Sequence, residues 1–361
     1  MSDVTPEAVR AALAGVQDPA LHRPISRGQL GEIEVEDGTI RVEVSLISPG
    51  FPLKDQLDAD LRNALSRFGH AVQIEYKLSV PRKPPRQDLN RLPTVKNIIA
   101  VAAGKGGVGK STVSVNLALA LQAMGAKVGV LDADIYGPSI PHMMGTPARH
   151  ADKSEDGSRI MPAIHRGLPV MSVDFFVETG RAVIWRGPMI HKLLQQFLED
   201  VEWGELDYLI VDLPPGTGDA QLSLGQLIPI TAGVIVTTPQ EVALLDVRKA
   251  VDMFDKLDVP VVGIIENMST YTCPACGHND QIFAGGGGKR LADEIGVELL
   301  GQLPIHNAVA HGGETGIPVV ISAPQSDLAK TFHTTAAHAA MEASKLSGTG
   351  PKRSSLLRTV N

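Results

Sequence analysis

The sequence predicts an α/β chain, with a doubly wound, mostly parallel sheet preceded by a small α+β unit. Three observations predict it. From about Val95 onward, apolar runs of strand length alternate with helical stretches, the pattern of repeated βαβ units. Several of these runs are continuously apolar, as strands are when helices cover both faces of a parallel sheet. The first run leads through a glycine-rich turn into the first long helix of this region, the arrangement that puts a ligand at the carboxyl edge of such a sheet.

Composition narrows the class. A chain of 361 residues suggests two or three domains. With 43% hydrophobic and 20% charged residues it can bury a sizeable core. Aromatic residues are only 4%, too few for a base-stacking platform. A net charge of −7 argues against a broad nucleic-acid or anionic-membrane surface. No apolar run reaches the length of a membrane span, and Met1 to Glu7 lacks a basic n-region and an apolar h-region. The expectation is a cytoplasmic protein with neither nucleic acid nor membrane as partner. The two cysteines, Cys273 and Cys276, exclude a disulfide framework.

Taken in order, residues 1–80 form the small unit. Thr5 caps a helix that Pro6 opens. Ile33 and Val35, then Ile40, Val42, Val44 and Leu46, alternate with polar residues on either side of an Asp37-Gly38 hairpin turn. A helix from about Pro52 places Leu53, Leu57, Leu61, Ala64, Leu65 and Phe68 on one face. Val72, Ile74, Tyr76 and Leu78 then alternate in a third strand. Residues 81–94 carry four prolines and four basic residues, which makes a semi-extended linker.

Residues 95–345 form the large domain. Strands are expected at Ile98–Ala102, Lys127–Leu131, Leu168–Val173, Asp207–Val211, Gly233–Thr237, Pro260–Ile265 and Glu298–Gln302. Thr238-Pro239-Gln240-Glu241 reads as cap, first-turn proline and capping-box glutamate of a helix whose buried stripe is Ala243, Val247, Ala250, Phe254 and Leu257. Gly285 to Gly288 reads as a flexible entry to a short helix near Lys289–Ile295, and residues 346–361 as a disordered tail.

The glycine-rich turn carries the chemistry. Gly104-Lys105-Gly106-Gly107-Val108-Gly109-Lys110-Ser111 matches G-x-x-x-x-G-K-[ST] at every fixed position. Glycines let backbone N–H groups close around phosphate oxygens, and the helix opening at Ser111-Thr112 favours negative charge. Lys110 is expected on the β- and γ-phosphates of ATP and Ser111 on Mg²⁺. This predicts a P-loop NTPase fold. Asp132 and Asp134 end the second strand of the domain beside this loop. Asp134 suits a water-orienting role, and Asp132 suits holding the loop or the Mg²⁺ waters. Asp212 closes an apolar strand where a carboxylate holds the Mg²⁺ shell, and Pro214-Pro215-Gly216 after it reads as a γ-phosphate switch. Asn267 ends a later strand with an amide that can both donate and accept.

Cys273-Pro274-Ala275-Cys276 supplies two thiolates from one loop, half of a closed four-ligand site. A two-fold dimer would complete it as Cys₄, for Zn²⁺ or a [4Fe–4S] cluster. His278 allows a mixed Cys–His zinc site, and no thioredoxin-like context surrounds the pair.

Three resemblances follow. With Lys105, the loop resembles the deviant Walker A class of ATPases, which implies that this lysine acts across a dimer interface on the partner's nucleotide and that Asn267 reads the adenine edge. Residues 1–80, through Asp18-Pro19, the Asp37-Gly38 hairpin and Ser48-Pro49-Gly50-Phe51-Pro52-Leu53, resemble the MIP18-like domain of iron–sulfur assembly proteins. Many members of that family have a cysteine where Phe51 stands here. Gly104–Ser111, Asp132–Ser139, Asp212–Asp219, Glu266–Ser269, Cys273–Cys276 and Leu303-Pro304-Ile305-His306 together resemble the Mrp/ApbC family of iron–sulfur cluster carrier ATPases. That resemblance implies a homodimer with a [4Fe–4S] cluster between the cysteine pairs of both chains, and ATP-dependent transfer to apo-proteins. The rival class is a ParA/MinD-like partitioning or positioning switch, which leaves the cysteines unexplained. An ATPase like the nitrogenase reductase bridges its cluster with separated cysteines, unlike this pair.

Overall fold

The computed structural model describes residues 4–25, 28–83, 92–146, 152–176, 187–216, 219–273, 275–283 and 285–348. In the N-terminal unit, α1 (Pro6–Leu13) is capped by Thr5, whose Oγ1 accepts from Ala8 N at 3.3 Å. β1 (Leu30–Glu36) and β2 (Thr39–Leu46) pair antiparallel around Asp37 and Gly38, both at positive φ as the tight hairpin turn requires. The crossover helix α2 (Lys54–Leu65) returns the chain to β3 (Ala71–Leu78), which lies parallel to β2. Leu13, Ile40, Leu57, Leu61 and Leu65 are fully buried between helices and sheet. Asp18 accepts from Ala20 N, Leu21 N and Gln29 Nε2, so the Asp18-Pro19 element is a pinned turn. Phe51 is itself core, 4% exposed.

The large sheet contains every strand expected. In chain order these are β4 (Val95–Ala102), β5 (Val128–Asp132), β6 (Leu168–Ser172), β7 (Leu206–Asp212), β8 (Ala232–Thr237), β9 (Val261–Thr272) and β10 (Glu298–Ile305). Across the sheet they run β6-β5-β7-β4-β8-β9-β10, all parallel. Ala163–His165 adds antiparallel to β6, and Asn279–Asp280 to the far end of β9. The strand order reverses between β7 and β4, so the loops leaving β4, β5 and β7 meet at one carboxyl edge. The helix after β4, α3 (Lys110–Ala123), is buried almost all round and forms the centre of the domain. The other long helices of the domain are α4 (Gly187–Glu199), α5 (Asp219–Leu227), α6 (Glu241–Lys256), α7 (Gly287–Ile295), α8 (Asn307–Thr315) and α9 (Asp327–Gly348), the last packed against α3.

Three expectations are corrected. First, β9 does not stop at Ile265 but runs to Thr272; the extension stays in strand because Asn267 and Tyr271 pair with β10, and Tyr271 and Thr272 with Asn279–Asp280. Second, Thr238 caps nothing. The helix α6 starts at Glu241 with Gln240 before it and no side-chain cap, and the Thr238 hydroxyl is buried without a partner. Third, residues 346–348 are not tail: they finish α9, where Ser347 Oγ bonds Asn97 Oδ1 at 2.5 Å and Leu346 packs on the core. The rest of the expected tail, residues 349–361, lies outside the described residues, as does 84–91 of the linker. The linker's described ends are tied down, since Pro81 O accepts from Asn97 Nδ2 and Lys83 Nζ donates to Ile230 O and Thr231 O.

The small unit packs on the large one. Met341 of α9 belongs to the N-terminal core. Gly50, at φ +56°, sits so close to Met124 that a Cβ there would lie 2.2 Å from the sulfur. Met124 ends α3, so the Ser48–Pro52 turn docks about 21 Å from the helix's phosphate-facing end, given 14 residues at 1.5 Å each. Among the described residues no helix is long and apolar enough to cross a membrane.

Candidate nucleotide and cysteine sites

The phosphate loop leaves β4 and enters α3 at Lys110, with Gly107 and Gly109 at φ +81° and +83°, a conformation that side chains with a Cβ resist. Gly104 is constrained differently. A Cβ there would lie 2.4 Å from the carbonyl of Asp246 in α6, and a backbone cannot swing aside as a flexible side chain can. Gly104→Ala is therefore expected to lower stability by about 1–3 kcal/mol and to weaken nucleotide binding, read by urea unfolding and by titration with a fluorescent ATP analogue.

Strand register brings the carboxylates to the loop. Asp212 lies opposite Asp132 on one side and Val101 on the other. Lys110, 6% exposed, donates to Asp212 Oδ2 at 2.6 Å and stands 3.7 Å from Asp134 Oδ2. Ser111 Oγ donates to the same Asp212 oxygen at 2.6 Å. The other oxygen accepts from Ser114 Oγ, also at 2.6 Å. Ser114 escaped the sequence reading, although it stands four residues after Lys110 and so on the same helical face. Asp212 thus holds a fully buried charge with three donors on it, the condition under which such burial is tolerated. Ser111 Oγ and Asp212 Oδ2 converge as hard oxygen donors, a set that fits Mg²⁺.

Asp132 is fully buried. Its oxygens accept from Asp134 N, Ser139 N, Ile140 N and Ser172 Oγ at 3.1–3.2 Å. These bonds hold the turn from Asp134 to Ile140 and the end of β6, not the phosphate loop. Burial, aided by the nearby Asp212 charge, pushes its carboxyl up to about 7. Asp134 is also raised by burial, with Lys110 opposing.

Asn267 is brought to the loop by β9, and its Nδ2 donates to Val108 O at 2.8 Å. One donor of the amide expected to read adenine is therefore bonded to the loop itself. Glu266 beside it is buried and accepts from Gly288 N and Gln302 Nε2. A carboxylate thus occupies the start of α7, and the glycine run is a helix entry, as expected. Lys105 is half-buried and makes no hydrogen bond or ion pair among the described residues. Thr217 and Gly218 of the switch segment lie outside those residues.

The cysteines sit at the tip of a hairpin made by the far end of β9 and Asn279–Asp280. Cys273 N donates to His278 O and Gly277 N to Cys273 O, both at 2.8 Å, which closes the loop into a knuckle. Cys273 is half-buried and Cys276 exposed. The backbone N–H groups of Ala275 and Cys276, then the Cys276 side chain, lower the Cys273 thiol below its ordinary range. No group of three or more His, Cys, Asp or Glu side chains is placed to hold a metal among the described residues. His278 accordingly does not complete a site with the pair. Pro274 lies outside the described residues.

Comparison with known proteins agrees with this geometry. Residues 94–340 match the family described as NUBPL iron-transfer P-loop NTPase, and residues 6–75 match the iron–sulfur cluster assembly protein family. The iron-sulfur cluster carrier protein of Escherichia coli K12 is 44% identical over 335 residues, covering 91% of this chain and 90% of that one. Its counterpart from Deinococcus radiodurans is 43% identical over 331 residues, covering 91% and 93%. Among solved structures, the Archaeoglobus fulgidus nucleotide-binding protein in complex with ADP is 38% identical, with a TM-score of 0.58, over 67% of this chain and 94% of that one. The Pyrococcus furiosus cell division ATPase MinD, 22% identical with a TM-score of 0.51 over 67% of this chain and 97% of its own, shares the fold. A phosphate loop backed by Asp212, a cysteine knuckle on the same sheet edge and these matches along most of the chain lead to one conclusion: the protein belongs to the NUBPL iron-transfer family of P-loop NTPases.

Proposed function

We propose that this chain is a cytoplasmic, ATP-hydrolysing carrier that holds a [4Fe–4S] cluster as cargo between Cys273 and Cys276 of two copies and delivers it to apo-proteins. The observation that carries this reading is the two-thiol knuckle, with no third ligand among the described residues, held on the strand that also touches the phosphate loop. Two-fold symmetry supplies the missing thiols. Exposed apolar side chains support a second copy at this edge. Tyr136 follows the Asp134 turn, Val242 and Leu245 open α6, and Ile282 follows the knuckle, each more than half exposed.

In the nucleotide site, Lys110 exchanges Asp212 for the β- and γ-phosphates, and Ser111 with Asp212 holds Mg²⁺. Bound Mg²⁺ neutralises charge on the phosphate oxygens. Asp134 orients the attacking water. Asp132 keeps the turn carrying Asp134 in place through its backbone contacts. Lys105, with no partner among the described residues, reaches the second copy's γ-phosphate and completes the site only in the dimer. A partitioning switch shares the fold but gives the cysteine knuckle no task.

The test separates binding from turnover. Lys105→Ala is expected to keep nucleotide affinity within about twofold while turnover falls by at least about tenfold, since a group acting only on the reacting phosphate serves the transition state. Equal losses in the two measurements would assign Lys105 a local structural role and remove the trans contact from the mechanism.

A further inference from the structure

We infer that the bulge at Met268 is the hinge through which the phosphate loop sets the position of the cysteine knuckle. This rests on the carrier reading above and adds the element that links its two sites. On the loop side, Asn267 Nδ2 is bonded to Val108 O, and a Cβ on Gly109 would lie 2.2 Å from that same nitrogen. A displacement of Val108–Gly109 toward β9 therefore meets the Asn267 side chain directly. On the cysteine side, β9 runs from Asn267 to Thr272 without a break, and Cys273 follows directly. The knuckle is closed by its own backbone bonds, so it moves as one piece.

Between these ends the strand leaves its ladder. Asn267 pairs with Leu303 and Tyr271 with Ile305. Four steps along β9 therefore match two along β10, so Met268, Ser269 and Thr270 lie opposite Pro304 alone, an excess of two residues. Within this stretch Met268 is at φ +59°, the left-handed region that a methionine enters only where its surroundings impose it. Ser269 is buried and donates its hydroxyl to Leu303 O at 3.0 Å, which fixes the far side of the bulge to β10. A stiff, off-ladder residue after Asn267 passes a shift of Asn267 on to the Ser269–Tyr271 anchor on β10, and so to the knuckle that follows it. A slack residue there would absorb the shift. Bulges re-aim the chain beyond them in this way.

The experiment uses the reduced full-length chain and reads alkylation rates of Cys273 and Cys276 by mass spectrometry, with and without Mg²⁺ and a non-hydrolysable ATP analogue. Nucleotide affinity and light scattering are measured in parallel, so that binding and dimerisation are known separately. Wild type is expected to change its alkylation rate by about fivefold or more on binding nucleotide. Met268→Gly keeps the left-handed backbone accessible but removes its stiffness. It is expected to bind nucleotide within about twofold of wild type while the rate change shrinks below about twofold. Met268→Asn, which tolerates the left-handed region with a side chain present, is expected to retain the wild-type change. A Met268→Gly variant that keeps the full change would overturn the inference, as would wild-type protein that binds nucleotide with no change at either thiol. Wild-type protein that binds no nucleotide would sink the ATPase reading, and this inference with it.

Discussion

Lys110→Ala is expected to abolish ATP turnover and, in the same protein, to weaken the fold. The catalytic loss comes from removing the cation that meets the transferring phosphoryl group, and such contacts are worth about 10²–10³ in rate. The structural loss comes from Asp212, which is fully buried and keeps only the two serine hydroxyls once the ammonium 2.6 Å away is gone. Stranding one member of a buried ion pair costs about 3–5 kcal/mol. The two effects separate in the double variant Lys110→Ala with Asp212→Asn. Removing the stranded charge should restore much of the urea midpoint and none of the turnover. Wild-type turnover in the purified single variant would refute the assignment of the phosphate loop.

The second large effect belongs to the cysteines. Cys273→Ser combined with Cys276→Ser should reduce iron after anaerobic reconstitution to background, because serine oxygens are poor ligands for a site that selects soft thiolates. The knuckle itself should persist. Its closing bonds run from Cys273 N to His278 O and from Gly277 N to Cys273 O, and neither uses a thiol. ATP turnover should stay within about threefold of wild type, as expected for a change remote from Lys110 and Asp212. Full iron in the double variant would remove the knuckle from the reading.

Which parts of this were legible beforehand follows from how local their causes are. The phosphate loop and the strand-ending aspartates are fixed by spacing along one stretch of chain, and the βαβ alternation placed all of them on one sheet edge. The hairpin at Asp37-Gly38 and the Thr5 cap are equally local, and the structure contains both. What escaped depends on partners distant in sequence. The apolar run ends at Ile265, so the strand reads as stopping there, yet β10 and Asn279–Asp280 carry it on to Thr272. Thr238 has the residue type of a cap, but the chain stays extended through Gln240 before α6 begins. Leu346 to Gly348 have tail-like composition, and contacts with Asn97 and the core extend the helix over them. Ser114 shows its role only once Asp212, far along the chain, lies beside it. The contact of Gly50 with Met124, which fixes the small unit on the end of α3, has no local cause at all.

Two copies of this chain share one cluster in the proposed function, since each offers two thiols on an open knuckle and no third ligand among the described residues. The most direct measurement is anaerobic reconstitution of the wild-type chain, with iron and acid-labile sulfide counted on the species whose mass is fixed by in-line light scattering. The predicted result is about four iron and four sulfide per dimer, with the iron eluting at the dimer mass and iron-free chain shifted toward monomer. A monomer carrying a full cluster, or a site that takes up only zinc under these conditions, would contradict it.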